Sequence, residues 1–133
     1  MSMASQDNQK TNRLLKSFSF AIHGIGSAIQ TERNMRIHLG STVLVIVLSV
    51  FFSISKTEWL FILIAISGMF ALELVNTAIE RVVDLITEDY HPLAKQAKDI
   101  AAGAVFIYAL VSVAIGAIIF WPYFLQIIRK IFA

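Results

Sequence analysis

Apolar residues along the chain fall into long blocks separated by short polar breaks. In the first block Leu14, Leu15, Phe18, Ile22, Ile25 and Ile29 recur at spacings of three and four, while Arg13, Lys16 and Ser17 lie towards the other side. That period is helical and predicts an amphipathic helix over about 12–31, lying in a membrane interface or packed on the chain's own spans. Gly24 and Gly26 weaken it locally or allow close packing. The residues before it, 1–11, are polar and rich in Ser, Gln and Asn, so they are expected to be disordered.

The polar stretch TERNMRIH, Thr31 to His38, leads into a run with no charge between Arg36 and Lys56 if His38 is neutral. A bilayer core needs about 20 predominantly apolar residues, so a first span is predicted over about 38–54. SKTE, Ser55 to Glu58, reads as a tight polar hairpin, with Trp59 at the interface behind it. A second span begins at Trp59 and continues as helix to about residue 87, where EDYHP breaks it; Pro92 restricts His91 to an extended conformation. No charged residue occurs from Ile100 to Ile128, which places a third span over about 99–121, ending near Trp121 and Pro122. Its first turns, Ala101 to Ala104, are narrow and favour close helix contact. The tail QIIRKIFA returns to an interface.

Composition agrees with this pattern. Of 133 residues, 57% are hydrophobic and only 15% charged, and the mean hydropathy is +0.73. A soluble domain of this size could not bury so much apolar surface. The expected fold class is therefore all-α integral membrane, with an interfacial N-terminal helix and three transmembrane helices. The net charge of +2 forms no basic patch of the kind that binds nucleic acid. There is no cysteine, which excludes disulfides, thiolate metal sites and cysteine nucleophiles. The polar N-terminus lacks the apolar core of a signal peptide, so insertion is expected to rely on the internal spans. Lys10, Arg13, Lys16, Arg33, Arg36, Arg81, Lys95 and Lys98 fall on one side of the bilayer and outnumber Lys56, Arg129 and Lys130 on the other. By the positive-inside rule the N-terminus and the loop after the second span are expected in the cytoplasm.

One stretch of the second span does not suit a lipid environment. ELVNTAIERVVD, Glu73 to Asp84, continues the apolar run without a Gly or Pro break. At about 100° per residue, Glu73, Asn76, Thr77, Glu80 and Asp84 share one helix face within an arc of roughly 80°. Glu73 lies roughly 21 Å along the helix from Trp59, at a rise of about 1.5 Å per residue, nearer the cytoplasmic interface than the opposite one. Carboxylates at that depth are costly and are candidates for function. Near the same interface lie Glu32, Lys98 and Asp99. Clustered carboxylates suit a hard cation such as Mg²⁺ whose shell is completed by phosphate oxygens. Lys98 can offset phosphate charge, and a carboxylate at headgroup depth can accept a proton from a lipid hydroxyl. These are the parts of phosphoryl transfer, although no Walker A loop or protein-kinase signature is present. Other readings stay open on residue chemistry alone. Asp84 and Asp99 suit ion pairs with Lys or Arg of a neighbouring helix, and Glu88 suits plain solvation. Glu32, read alone, is a solvated surface charge; His23 and His38 suit interfacial hydrogen bonds. A proton-coupled transporter would use Glu73 in a proton path, and a scaffold would not need the stripe at all.

At ELVNTAIERVVD followed by AKDIAAGAV the chain resembles the prokaryotic diacylglycerol kinase family, small integral-membrane lipid kinases. The resemblance runs from about Arg13 to Trp121 and includes the FSFAxxGI…ER segment upstream. It implies a homotrimer of three-span subunits in the bacterial cell membrane, transferring the γ-phosphate of MgATP to a lipid alcohol at the cytoplasmic surface. Residue by residue, it implies that Glu73 is the catalytic base and Asn76 a polar neighbour of the reacting groups. Glu80 and Glu32 hold the metal and ATP, which replaces the bland reading of Glu32. Asp84 supports the site. Asp89, Tyr90 and His91 form a nucleotide-contacting turn, Lys98 and Asp99 bind phosphate and nucleotide, and Arg13 reaches the site from the surface helix. The chain departs from the Gram-negative members in two places. Phe20 replaces a Tyr near the nucleotide, and His38 replaces an acid. The ERNMRIH form is similar to the Gram-positive branch, whose members phosphorylate undecaprenol. That shifts the implied acceptor towards a polyprenol, with diacylglycerol as the alternative.

Overall fold

In a computed structural model the chain is described over residues 3–87 and 89–132, with side chains from Arg13 onward. The expected solvation of Glu88 lies outside the described residues. Four helices follow one another: α1 (Met3–Thr31), α2 (Arg33–Phe51), α3 (Lys56–Ile86) and α4 (Pro92–Phe132). No strand occurs among the described residues. Helices α2, α3 and α4 are each long and apolar enough to cross a membrane. In lipid every backbone polar group must be satisfied within the segment, which a helix does by itself. Their outward faces carry exposed Leu44, Val47, Phe61, Ile107 and Ile118, as suits a hydrocarbon solvent.

The breaks between helices follow from local chemistry. Glu32 alone separates α1 from α2, with extended backbone (φ −92°, ψ 123°), and its side chain makes no capping bond. The carboxylate is thus left for other partners. At the end of α2, Ser53 adopts a left-handed φ of 52°. Its N–H donates to the Val50 carbonyl (3.0 Å) and that of Ile54 to the Ser49 carbonyl (3.2 Å), the paired bonds of a Schellman termination. α3 then starts on a capping box: Ser55 Oγ accepts from the Glu58 N–H (3.3 Å), and Glu58 Oε2 accepts from the Ser55 N–H (2.7 Å). This draws the helix start to Lys56, ahead of the Trp59 expected from hydropathy. Ser-x-x-Glu is legible in the sequence as a helix start, and it outweighs the hydropathy boundary.

Two other boundaries differ from expectation. α1 reaches back to Met3, through the polar stretch expected to be disordered. α4 passes through Pro122 and continues to Phe132. Proline inside a helix costs about 3 kcal/mol through its lost N–H and ring clash. Packing around it opposes that cost. Phe52 of the α2–α3 turn meets Phe120, Tyr123 and Phe124 at ring-centroid distances of 6.1, 5.4 and 5.0 Å. Tyr123 Oη donates to Glu58 Oε2 (2.9 Å). The main apolar core lies here, around Ile54, Ile62, Ile119 and Phe120. It anchors α4 at the end of the bundle away from the acidic stripe.

Midway along the α3–α4 contact, Gly68 admits the Tyr108 ring. A Cβ at Gly68 would fall 2.0 Å from Tyr108 Oη, and that hydroxyl donates to the Ile64 carbonyl (2.8 Å). This notch sets the register of α4 on α3, and so the position of Lys98 and Asp99 relative to the stripe.

Candidate functional site

The stripe on α3 grades from buried to exposed. Glu73 is 2% exposed, Asn76 6% and Thr77 5%; Glu80 is half-buried and Asp84 exposed. Leu74 and Ile79 are half-buried, and Val75 and Val82 are exposed, so the two sides of α3 separate as the helical period requires. Asn34 and His38 of α2 approach the Glu73 carboxylate, and Glu80 and Glu32 are within range of its charge. Asn76 Nδ2 donates to Glu80 Oε1 (3.0 Å). Glu73 Oε2 and Asn76 Oδ1 are buried with no hydrogen-bond partner. Leaving such atoms unpaired in a low-dielectric site is costly. Both oxygens are acceptors on one face, one turn apart, and a hydroxyl entering there could donate its one proton to either of them.

Glu32 joins this group from the α1–α2 break. Its Oε1 accepts from Thr31 Oγ1 (2.9 Å) and from Arg81 Nη2 (3.4 Å). Arg81 also donates to Thr31 Oγ1 (2.7 Å) and Ser27 Oγ (3.2 Å), pinning α1 to α3. In the sequence Arg81 carries only a charge-placement signal, as one of the basic residues on its side of the bilayer. The partner, however, is set by the α1–α2 break and not by any spacing.

A second polar group lies beyond the end of α3. Asp84, Asp89, Tyr90, His91, Lys98 and Asp99 line one cavity of about 360 Å³, together with Lys95. Lys98 is ion-paired with Asp84 across the two helices, and Lys95 with Asp99 one turn apart on α4. Asp84 thus has the expected lysine partner from a neighbouring helix, whereas Asp99 pairs with Lys95 of its own helix, and neither carboxylate is buried as the expectation had it. Pro92 at the first position of α4 fits because it needs no N–H there, and the His91 Nδ1 accepts from the Leu93 N–H (3.2 Å).

The remaining expected residues stand apart. Arg13 and Phe20 are on α1 and exposed, Phe20 at 73%. Neither touches the stripe or the loop cavity among the hydrogen bonds and ion pairs of the described residues. Among the described residues no three Asp, Glu or His side chains gather closely enough to hold a metal unaided. His23 Nδ1 hydrogen-bonds the Ser19 carbonyl one turn back on α1 (2.7 Å).

A buried acid face on α3 and a cavity of mixed charge at the α3–α4 loop lie towards the same end of the bundle. The family model for prokaryotic diacylglycerol kinase matches residues 19–120. The chain belongs to this family. Over 121 residues it is 48% identical to the undecaprenol kinase of Bacillus subtilis, covering 90% of this chain and 98% of the relative. It is 39% identical to the diacylglycerol kinase of Synechocystis over 115 residues, 86% of this chain and 66% of that one. It is 28% identical to the diacylglycerol kinase of Escherichia coli K12 over 112 residues, 84% and 92% of the respective chains. Membership of the diacylglycerol kinase family makes the chain a membrane lipid kinase, and the transporter and scaffold readings fall away.

Proposed function

We propose that the chain transfers the γ-phosphate of ATP to the primary hydroxyl of undecaprenol at the cytoplasmic membrane surface, releasing undecaprenyl phosphate and ADP. The observation that carries this is the buried, unpartnered Oε2 of Glu73 on the membrane-spanning helix α3. Glu73 takes the hydroxyl proton there. The alcohol oxygen bonds the γ-phosphorus as the bond to the β–γ bridging oxygen breaks, and the electron pair leaves with ADP. Asn76, one turn on, keeps Glu80 in place through its Nδ2 beside the reacting groups. Lys98 offsets charge on the ATP phosphates, exchanging Asp84 for them, and Asp84 holds Lys98 ready beforehand. Asp89, Tyr90, His91 and Asp99 line the nucleotide end, and Arg13 and Phe20 close over it from α1.

Glu32 and Glu80 are acceptor-only groups whose present partners, Arg81 and Asn76, leave oxygens available. Two carboxylates suit Mg²⁺ that arrives with nucleotide phosphates, because this ion keeps much of its shell from phosphate and water. Bound there, it would neutralise developing phosphate charge. The excess of Lys and Arg around α1 and the α3–α4 loop supports a cytoplasmic site. A homotrimer fits the open small-residue surface of α4: Ala102 and Ala104 are exposed, and a Cβ on Gly103 would meet nothing within 4 Å.

The specific choice of undecaprenol is supported by the extensive similarity to an enzyme of that name. Diacylglycerol is the second reading, favoured by the other relatives. Purified protein in mixed micelles with MgATP, offered undecaprenol and diacylglycerol in parallel, decides between them. Higher kcat/KM for undecaprenol is expected; preference for diacylglycerol selects the second reading, and transfer to neither refutes both.

A further inference from the structure

Arg81 follows Glu80 on α3 and takes no part in the chemistry proposed above. Its guanidinium reaches three residues at the α1–α2 break. Nη1 donates to Ser27 Oγ (3.2 Å), and Nη2 donates to Thr31 Oγ1 (2.7 Å) and Glu32 Oε1 (3.4 Å). A planar fork suits this, because its donors diverge in fixed directions while a lysine ammonium is a compact point charge. Thr31 Oγ1 lies within bonding range of both the Ser27 carbonyl (3.0 Å) and Glu32 Oε1 (2.9 Å), yet a hydroxyl has one proton to give. Whenever that proton turns to the carbonyl, Arg81 is left to hold Oε1. Both donors converge on Oε1, so Oε2 stays open to a further ligand. Glu32 needs such support. It stands in extended backbone between two helices, and its side chain makes no capping bond. The ion pair is partly exposed, 48% for the Arg81 side chain and 29% for that of Glu32, so it contributes little to stability. What it fixes is the direction of one carboxylate.

We infer that Arg81 is a positioning residue for phosphoryl transfer, holding Glu32 through Oε1 and leaving Oε2 to receive the Mg²⁺ that accompanies ATP. This role rests on the lipid-kinase reading, with Glu32 and Glu80 as the metal carboxylates. α3 then serves both of them. Successive helix positions are about 100° apart, so Glu80 meets Asn76 on the stripe while Arg81 meets the α1–α2 break. One helix thereby fixes two carboxylates that belong to different elements. Ligating carboxylates are oriented by hydrogen bonds from outer partners, and losing such a partner typically costs 10–100-fold in metal affinity or activity. A guanidinium fits the task because it is permanently charged and has no acceptor atom with which to bind a cation itself. Its own charge is offset by the carboxylate it holds.

Arg81→Ala should raise the free Mg²⁺ concentration for half-maximal turnover by about 10–100-fold, with KM for the lipid alcohol unchanged. Arg81→Lys should recover part of the loss. Ser27→Ala removes a bond to α1 and keeps the Glu32 contact, so its Mg²⁺ dependence should match the parent. Binding without turnover gives a second readout. Mn²⁺ serves as a paramagnetic stand-in for Mg²⁺ alongside a non-hydrolysable ATP analogue, and free Mn²⁺ is counted by electron paramagnetic resonance. Bound Mn²⁺ should fall in Arg81→Ala. In a Glu32→Ala background the same change should cost nothing further, since residues that act through one contact couple in a double-mutant cycle. A further loss in that background, equal losses in Arg81→Ala and Ser27→Ala, or unchanged or tighter Mn²⁺ binding in Arg81→Ala would overturn the assignment. Weakened Mn²⁺ binding in a protein that phosphorylates no lipid alcohol would keep the positioning role and refute the kinase reading. Unchanged Mn²⁺ binding in an active kinase would do the reverse.

Discussion

Glu73 and Asn76 each keep a buried oxygen without a partner, and their role is best tested one atom at a time. Glu73→Gln preserves shape and removes the base. General-base catalysis contributes typically 10²–10⁴-fold, so kcat should fall by about that factor. ATP affinity, read by equilibrium binding in detergent, should stay within about twofold. Retained turnover would remove Glu73 as the base. Lys98 behaves differently because it is already paired with Asp84. Lys98→Met should raise KM for ATP by roughly 10–100-fold, the cost of about 1.5–3 kcal/mol for a hydrogen bond to a charged group. Asp84→Asn should have a smaller effect, because an exposed ion pair contributes about 0–1 kcal/mol. An equal loss in both variants would mean that the pair, and not the lysine–phosphate contact, matters. At this scale the sequence was informative about which carboxylates share a face. It could not show that Arg81 occupies Glu32, because that contact joins residues far apart in the chain.

At the scale of helices, two junctions hold the site in register. The Gly68–Tyr108 notch is the first. Gly68→Ala places a carbon 2.0 Å from the Tyr108 hydroxyl and 2.3 Å from its ring, so the ring must leave. Overpacking of this kind costs about 1–3 kcal/mol. Tyr108→Phe removes only one hydrogen bond, about 0.5–1.5 kcal/mol. Thermal unfolding in detergent should therefore rank Gly68→Ala below Tyr108→Phe, and both below the parent; the reverse order would show that the notch tolerates a methyl. The second junction is the α2–α3 turn with α4. Ser53 sits in the left-handed region without being glycine. A non-glycine residue there costs about 1–2 kcal/mol, so Ser53→Gly should raise the unfolding midpoint. Glu58→Ala should lower it by more than Ser55→Ala, because Glu58 serves both the capping box and Tyr123. The capping box was readable as Ser-x-x-Glu. The Schellman turn was not, because serine carries little signal for a left-handed position.

For the whole molecule, the expected orientation rests on where the basic residues fall relative to three spans. The absence of cysteine makes it directly measurable. Leu93→Cys, exposed at the start of α4, should react with an impermeant thiol reagent only in inside-out vesicles. Thr57→Cys, exposed at the α2–α3 turn, should react only in intact cells. The opposite pattern would place the acid stripe outside and remove its access to cytoplasmic ATP. The same assembly also explains a division of labour. The apolar core and aromatic cluster lie at one end of the bundle and the acidic stripe towards the other, so the acidic end can carry unpaired oxygens while the opposite end supplies the packing.

By itself, the sequence determined what depends on local period and transfer energy: helices throughout, three spans, an amphipathic N-terminal helix, and a carboxylate face on the second span. The helical repeat and the cost of charge in hydrocarbon act within a few turns, so a single strand of text carries them. Tertiary structure decided the rest. It brought Asn34 and His38 to Glu73 and gave Arg81 to Glu32. It joined Lys98 to Asp84, carried α4 through Pro122 on aromatic contacts, and opened an apolar cleft between α2, α3 and α4. Each of these depends on which helix faces lie against each other, a choice made by side-chain volume at places such as Gly68 and Gly116. Periodicity places a residue on a face, but it does not say what that face meets.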